Sequence, residues 1–251
     1  MIKIEEHKEI YEDKIQKQLF DEKQSKISKY MDLFIGKRSF LSLIKYEFII
    51  TLFQNMPGAA GILFRSLFYP ILFKKVGKGV SFGRGITIRH PHKIIIDDNV
   101  VIDESCVLDA KGLNNEGIHI KDGVFIGRNS TLYCKNGNIV LEKNVNIGFN
   151  SQVFSGSEIH VGENTIIASY VYIIGGGHEY SNIDIPISEQ GKPSLGIEIE
   201  KNCWLGAGAK ILDGVKIGSD AIVGAGSVVS MDIPPFSIAV GVPARIAKSR
   251  K

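Results

Sequence analysis

Residues 197–230 read IEIEKN CWLGAG AKILDG VKIGSD AIVGAG SVVS, and from Ile199 to Ser230 they repeat every six residues. Aliphatic side chains fall at Ile199, Leu205, Ile211, Ile217, Val223 and Val229. Four places after the first five stand Cys203, Ala209, Val215, Ala221 and Ser227, all small or β-branched. Glycine follows the aliphatic residue at Gly206, Gly218 and Gly224. An amphipathic helix repeats about every 3.6 residues and a half-buried strand every two, so neither explains the pattern. A period of six is that of a parallel β-helix, in which short strands turn a corner after each hexad. The aliphatic residue then points into the core, and the narrow space near the next corner admits only small side chains. The glycines are expected to supply backbone conformations that a Cβ would penalise.

Counting outward, seven coils of three hexads begin at Val76, Ile96, Ile120, Leu141, Val161, Ile199 and Ile217. Inside them the register holds at Phe82 and Ile88, Ile102 and Leu108, Ile126 and Leu132, Ile147 and Val153, and Ile167 and Ile173. Successive starts lie 20, 24, 21, 20, 38 and 18 residues apart, and every excess over three hexads follows the third. All extra residues therefore emerge at one edge of a triangular prism. The large excess forms a protruding loop, residues 174–198, inside a β-helix expected over 76–233. A long loop in an economical repeat is a candidate functional element. Pro234 and Pro235 are expected to end the repeat, leaving 234–251 as a turn and a basic tail.

The first 75 residues break this pattern. Residues 4–34 carry mixed charge and are expected to form a polar helix or arm. Residues 39–73, FLSLIKYEFIITLFQNMPGAAGILFRSLFYPILF from Phe40, carry only Lys45, Glu47 and Arg65 as charged groups. Pro57 and Gly58 divide them into two helices, neither of which supplies the roughly 20 apolar residues of a membrane span. They are expected to cap the open end of the β-helix, alone or with a second, peripheral contact to an anionic membrane, since Lys37, Arg38, Lys74 and Lys75 flank them.

The chain has 251 residues, 44% of them hydrophobic, which suffices for one sizeable core. A net charge of +3 gives no argument for nucleic acid. Cys106 and Cys203 fall at inward small-residue positions, and the three cysteines form no disulfide framework. The first twenty residues are charged and lack an apolar core, so no signal peptide is read there and a cytoplasmic location is expected. His119 and His160 each precede a coil start two coils apart, about 10 Å, which is too far for one ion. No metal is expected.

His178, the hexads from Cys203 to Pro234 and the later VGVPAR together resemble the hexapeptide-repeat acyltransferases, left-handed parallel β-helices that act as trimers. The likeness is closest to the galactoside, maltose and xenobiotic acetyltransferase branch. Residues 1–75 resemble instead the N-terminal extensions of hexapeptide enzymes that modify surface polysaccharides. The resemblance implies transfer of acetyl from acetyl-CoA to a hydroxyl of a sugar or surface glycan (capsule, O-antigen or lipid-linked saccharide), and the apolar segment 39–73 adds the expectation of peripheral contact with the inner face of the cell membrane. His178 takes the place of the general base, a role that suits an imidazole near neutral pH. Gly175 to Gly177 before it would let acceptor and thioester approach the backbone. Ala207 and Ala225 match positions whose backbone meets the CoA arm, Ser230 one near the nucleotide, and Arg245 and Lys248 basic positions suited to CoA phosphates. Met231 stands where the family often has lysine. Trp204 matches the usual tryptophan of the acceptor–thioester junction, and Asn150 an asparagine that bonds the acceptor sugar. The acidic partner expected soon after Asn150 is replaced by Ser155, Gly156 and Ser157, which points to a different acceptor. Two other readings stay open at this stage: N-acetyl transfer to an amino sugar, and a non-catalytic β-helix scaffold for polysaccharide synthesis.

Overall fold

A computed structural model describes residues 24–251. Most of the polar arm read over residues 4–34 lies outside them. The fold is a left-handed parallel β-helix preceded by helices. Each hexad contributes a strand of two to four residues, and strands 16 to 38 positions apart in sequence pair in parallel to build three faces. Face 1 stacks Lys75–Val76, Ile94–Ile96, Ile118–Ile120, Asn138–Leu141, Glu158–Val161, Ile197–Ile199 and Lys216–Ile217. Face 2 runs from Ser81–Phe82 to Ile222–Val223, and face 3 from Thr87–Arg89 to Val228–Val229. Ile96, Ile120, Leu141, Val161, Ile199 and Ile217 stand in one register, and all are fully buried. Cys106, Cys134 and Cys203 are free and buried. Burial pushes the Cys106 thiol up to about 12 and that of Cys203 up to about 11, so neither is a nucleophile at neutral pH.

The corners correct the reading of the glycines. Gly206 and Gly218 do not adopt left-handed backbone; a Cβ there would lie 2.5 Å from the backbone nitrogen of Ala225 or Pro235 in the next coil. What excludes a side chain is the closeness of the coil above. The left-handed turns come two residues later, at Gly208 and Asp220, and in other coils at asparagines such as Asn129, Asn150 and Asn202. Asparagine tolerates that region better than other residues with a Cβ. Here it also ties coils together: Asn129 Nδ2 donates to Asn150 Oδ1 at 3.2 Å, and Asn144 Nδ2 to Asn164 Oδ1 at 3.0 Å.

The far end also differs from expectation. The prolines do not end the prism. Ile233 bridges to Ile217, and Ser237–Gly241 pairs in parallel with Ile222–Val223, so an eighth, partial coil follows the seven. Pro234 and Pro235 fit because they occupy a corner, where no ladder hydrogen bond needs their missing N–H. The basic tail is a strand, Ala244–Ser249, which runs antiparallel beside Ser237–Gly241.

At the near end the chain forms α1 (Lys26–Tyr30), a π-helical turn (Met31–Ile35), α2 (Phe40–Phe53) and α3 (Gly58–Phe68). Ser39 caps α2, and Pro57 starts α3. The two longer helices close the first coil, whose carbonyls have no preceding coil to accept from. Tyr46 Oη donates to Ile88 O at 2.7 Å, Gln54 Nε2 to Ile86 O at 2.9 Å and Ser66 Oγ to Val80 O at 3.1 Å. Arg65, 1% exposed, donates to the carbonyls of Phe82, Phe53 and Met56 at 2.9, 3.0 and 2.7 Å. No helix among the described residues is long and apolar enough to cross a membrane.

Arg65→Ala strands these carbonyls, each costing about 1–3 kcal/mol when buried without a donor. Denaturant unfolding followed by circular dichroism is expected to show a loss of about 3 kcal/mol or more. His92 packs under the cap, where burial, with Lys37 and His90 adding repulsion, holds its imidazole down at about 4 instead of 6.5. The folded state therefore disfavours its charged form. Stability from this group is complete above pH 6.5 and declines as pH falls toward 4. An acid titration of His92→Gln is expected to lack that decline.

Candidate active site

The excess after the fifth coil is a loop over residues 176–196, at the edge between faces 3 and 1, and its limbs are pinned to each other. Gly177 N donates to Pro193 O at 3.0 Å and Glu179 N to Gly191 O at 2.7 Å. Nearer the tip, Gln190 Nε2 donates to Asn182 O at 2.7 Å and to Ile185 O at 3.1 Å. The base is clamped by Asp213 from the following coil, whose carboxylate accepts from Leu195 N at 2.8 Å and Gly196 N at 3.0 Å. Burial raises the Asp213 pKa, and these backbone donors oppose the rise. Ser194 Oγ donates to Gly175 O at 3.2 Å and lies 2.9 Å from Ser157 Oγ. Asp213 was not singled out from the sequence. Its signal is its place, at the loop's own prism edge one coil further on.

His178 heads this loop and is exposed. Gly176 before it has φ +138°, which only glycine adopts without strain, so the chain can turn outward there. A cavity of about 90 Å³ lies beside the imidazole, lined by Phe154, Lys135, Lys192, Ser194 and the glycines. Binding pockets for small ligands measure about 300–1,000 Å³, so this cavity by itself is too small for a sugar and a thioester together. Among the described residues no group hydrogen-bonds to His178. The Glu179 carboxylate accepts from the backbone N–H of Tyr180 at 3.3 Å.

The other candidate residues lie elsewhere on the prism. Ala207 and Ala225 stack at the edge between faces 2 and 3, exposed, with Gly226 N donating to Ala207 O at 2.8 Å. Asn150 turns the same edge in the fourth coil, in left-handed backbone, with its Oδ1 already held by Asn129. Trp204, 51% exposed, points outward from face 2 and pairs in register with Ile166 and Ile222. Ser230 follows the last strand of face 3, and Arg245 Nη1 reaches the Sδ of adjacent Met231 at 3.8 Å. Lys248 pairs in register with Ile238 on the final strand. His178 and the Ala207–Ala225 edge thus flank face 3 on opposite sides. In the fifth coil five extended residues separate those edges, about 16 Å. Within one chain they do not meet.

A larger depression, about 460 Å³, lies on face 1 and is lined by Glu158, His160, Glu198 and Lys216. Several of its polar groups are paired: Lys216 Nζ lies 3.0 Å from both Glu198 and Glu200, and His160 Nε2 lies 3.1 Å from Glu142. His119 likewise faces Asp97 at 2.9 Å, two strands from His160. Among the described residues no group of three or more His, Cys, Asp or Glu side chains is placed to hold a metal.

The bacterial transferase hexapeptide family (six repeats) matches residues 196–230. The chain is 30% identical over 155 residues to the putative lipopolysaccharide biosynthesis O-acetyl transferase WbbJ of Escherichia coli K12, covering 59% of this chain and 78% of that one. It is 34% identical over 112 residues to the galactoside O-acetyltransferase of the same strain, covering 44% and 54%. Among solved structures it is similar to AntD, an N-acyltransferase from Bacillus cereus in complex with dTDP and 3-hydroxybutyryl-CoA. That likeness has a TM-score of 0.53 at 26% identity, over 74% of this chain and 88% of that one. The chain spans about half the length of the first curated relatives it matches.

Because Asp213 holds the loop's base, Asp213→Ala is expected to loosen it. Limited proteolysis is expected to cut between residues 176 and 196 at least several-fold faster in the variant, while the far-UV spectrum stays unchanged.

Proposed function

The chain belongs to the hexapeptide-repeat acyltransferases, and we propose that it is an acetyl-CoA-dependent O-acetyltransferase acting on a hydroxyl of a sugar or surface glycan. The observation that carries the reading is His178, exposed at the head of a pinned loop beside a cavity. Likeness to WbbJ over 78% of its length supports a glycan acceptor. In the step we propose, an imidazole nitrogen of His178 takes the acceptor's hydroxyl proton as that oxygen attacks the thioester carbonyl. The C–S bond then breaks, and the departing CoA thiolate recovers the proton from the imidazolium.

The site is assembled from two copies of the chain. The loop edge of one protomer supplies His178; the facing edge of its neighbour supplies Ala207 and Ala225 along the pantetheine arm and Trp204 at the junction. Ser230, Arg245 and Lys248 serve the nucleotide end, and the Nδ2 of Asn150 is left to donate to the acceptor. A trimer fits this arrangement. Exposed Val101, Ile166 and Trp204 along face 2 supply the apolar surface that such an assembly would cover. We place its work in the cytoplasm, at the inner face of the cell membrane. Buried free thiols suit the first and the apolar cap the second.

One observation favours N-acyl transfer: the likeness to AntD, an N-acyltransferase. Incubation with labelled acetyl-CoA and paired hydroxyl- and amino-sugar acceptors separates the two readings by whether the label survives mild alkali, which cleaves esters and spares amides.

His178→Ala is expected to lower transfer by about 10²–10⁴-fold. It should keep stabilisation by CoA, about 2.7 kcal/mol at one hundred times the dissociation constant. Full activity in that variant would sink the mechanism. Replacing Arg245 or Lys248 by alanine is expected to weaken CoA about tenfold or more, as loss of one charge-assisted bond does.

A further inference from the structure

The cap has two apolar sides. Tyr46, Ile49 and Phe53 of α2 face the first coil and are buried. On the opposite stripe Leu41, Ile44, Phe48 and Leu52 are 80%, 51%, 59% and 47% exposed, and α3 adds Leu63 and Leu67 at 58% and 59%. A helix that packs on a core with one face ordinarily turns charged residues outward on the other. Here the outer face is a run of large aliphatic and aromatic groups, and such a patch marks an interaction surface. Its border is cationic. Lys37, Lys45 and Lys74 are exposed and have no carboxylate partner among the described residues, while Arg38 and Lys75 pair with Asp32 and Asp97. Glu47, the only carboxylate of α2, is taken by the Tyr30 hydroxyl. A second copy of this face would bring lysine against lysine. An anionic lipid surface meets both the apolar patch and the charge.

We propose that this outer face docks flat on an anionic bilayer and holds the His178 site at a set height above it. The cap closes the end of the prism, so the coils then stand away from the membrane. The cavity beside His178 is lined from the third to the fifth coil, two to four strand spacings of about 4.8 Å above the first. With one helix diameter of about 10 Å beneath, the site stands roughly 20–30 Å from the lipid. A single sugar on a lipid phosphate stays in the headgroup layer below that height. The acceptor is therefore a lipid-linked saccharide whose reacting hydroxyl lies several sugar units from its lipid; this last step rests on the transferase reading above.

The test uses the full chain and its single tryptophan, Trp204. Flotation is expected with phosphatidylcholine vesicles containing phosphatidylglycerol and not with phosphatidylcholine alone. The double variant Phe48→Glu, Leu52→Glu is expected to lose vesicle binding more than tenfold and to keep its thermal stabilisation by CoA. Trp204, in the sixth coil, is expected to escape quenching by brominated acyl chains. Label from radioactive acetyl-CoA added to cell membranes is expected in a solvent-extractable fraction whose saccharide, released by mild acid, is larger than one sugar. Absence of flotation, strong Trp204 quenching, or lipid-free assembly that the double variant abolishes would each overturn the docking. Label on a free nucleotide sugar, or on a lipid-linked monosaccharide, would overturn the tethered acceptor. Intact docking without CoA stabilisation would overturn the transferase reading alone.

Discussion

Parallel coils satisfy their backbone only through the coil above and the coil below. Each strand of two to four residues has too few hydrogen bonds to persist alone, so stability lies in the stack and in the continuous column of Ile, Leu and Val at its centre. The same constraint creates two exposed ends, each a ring of unpaired backbone groups. At one end the chain lays helices across the first coil and spends side-chain donors on its carbonyls, with a buried guanidinium among them. At the other it adds a partial coil and folds its last strand back antiparallel beside it.

The stack also decides where function can sit. Faces are occupied by pairing and by side chains in ladders, so insertions are tolerated only at edges, and here all of them use one edge. The loop bearing His178 is the largest, and it is held by bonds between its own limbs and by Asp213 from the next coil. That leaves the head of the loop, and with it the backbone of His178, at a defined place beside the cavity. The complementary edge, at Ala207 and Ala225, lies across face 3. A triangular prism keeps two of its edges apart by the width of a face, so a chemistry that needs both calls for a second copy.

Much of this was legible in the sequence. The hexads located the strands, the inward residues and the protruding loop, because a period of six is incompatible with other regular structures. Pro57 and Gly58 marked the break between the capping helices. The glycines were misread, since a sequence shows that Cβ is absent but not whether dihedral angle or a neighbouring backbone excludes it; Gly206 is the second case and Gly208 the first. Pro234 and Pro235 misled in the same way, for a proline at a corner interrupts nothing. Asn150 shows the limit for a binding residue: its type fits a sugar contact, yet its left-handed backbone and its bond to Asn129 belong to the corner.

The sequence by itself determined the β-helix, its register and the position of His178 at the head of the long loop, because these follow from periodicity along the chain. Only the tertiary structure decided what lies across from what. Asp213 clamps a loop that begins well before it, Arg65 serves the carbonyl of Phe82, and the apolar residues of α2 divide between core and surface. Each depends on contacts between coils or across a helix, where neighbours in space are a full turn of the prism apart and the direction of each side chain is settled by packing.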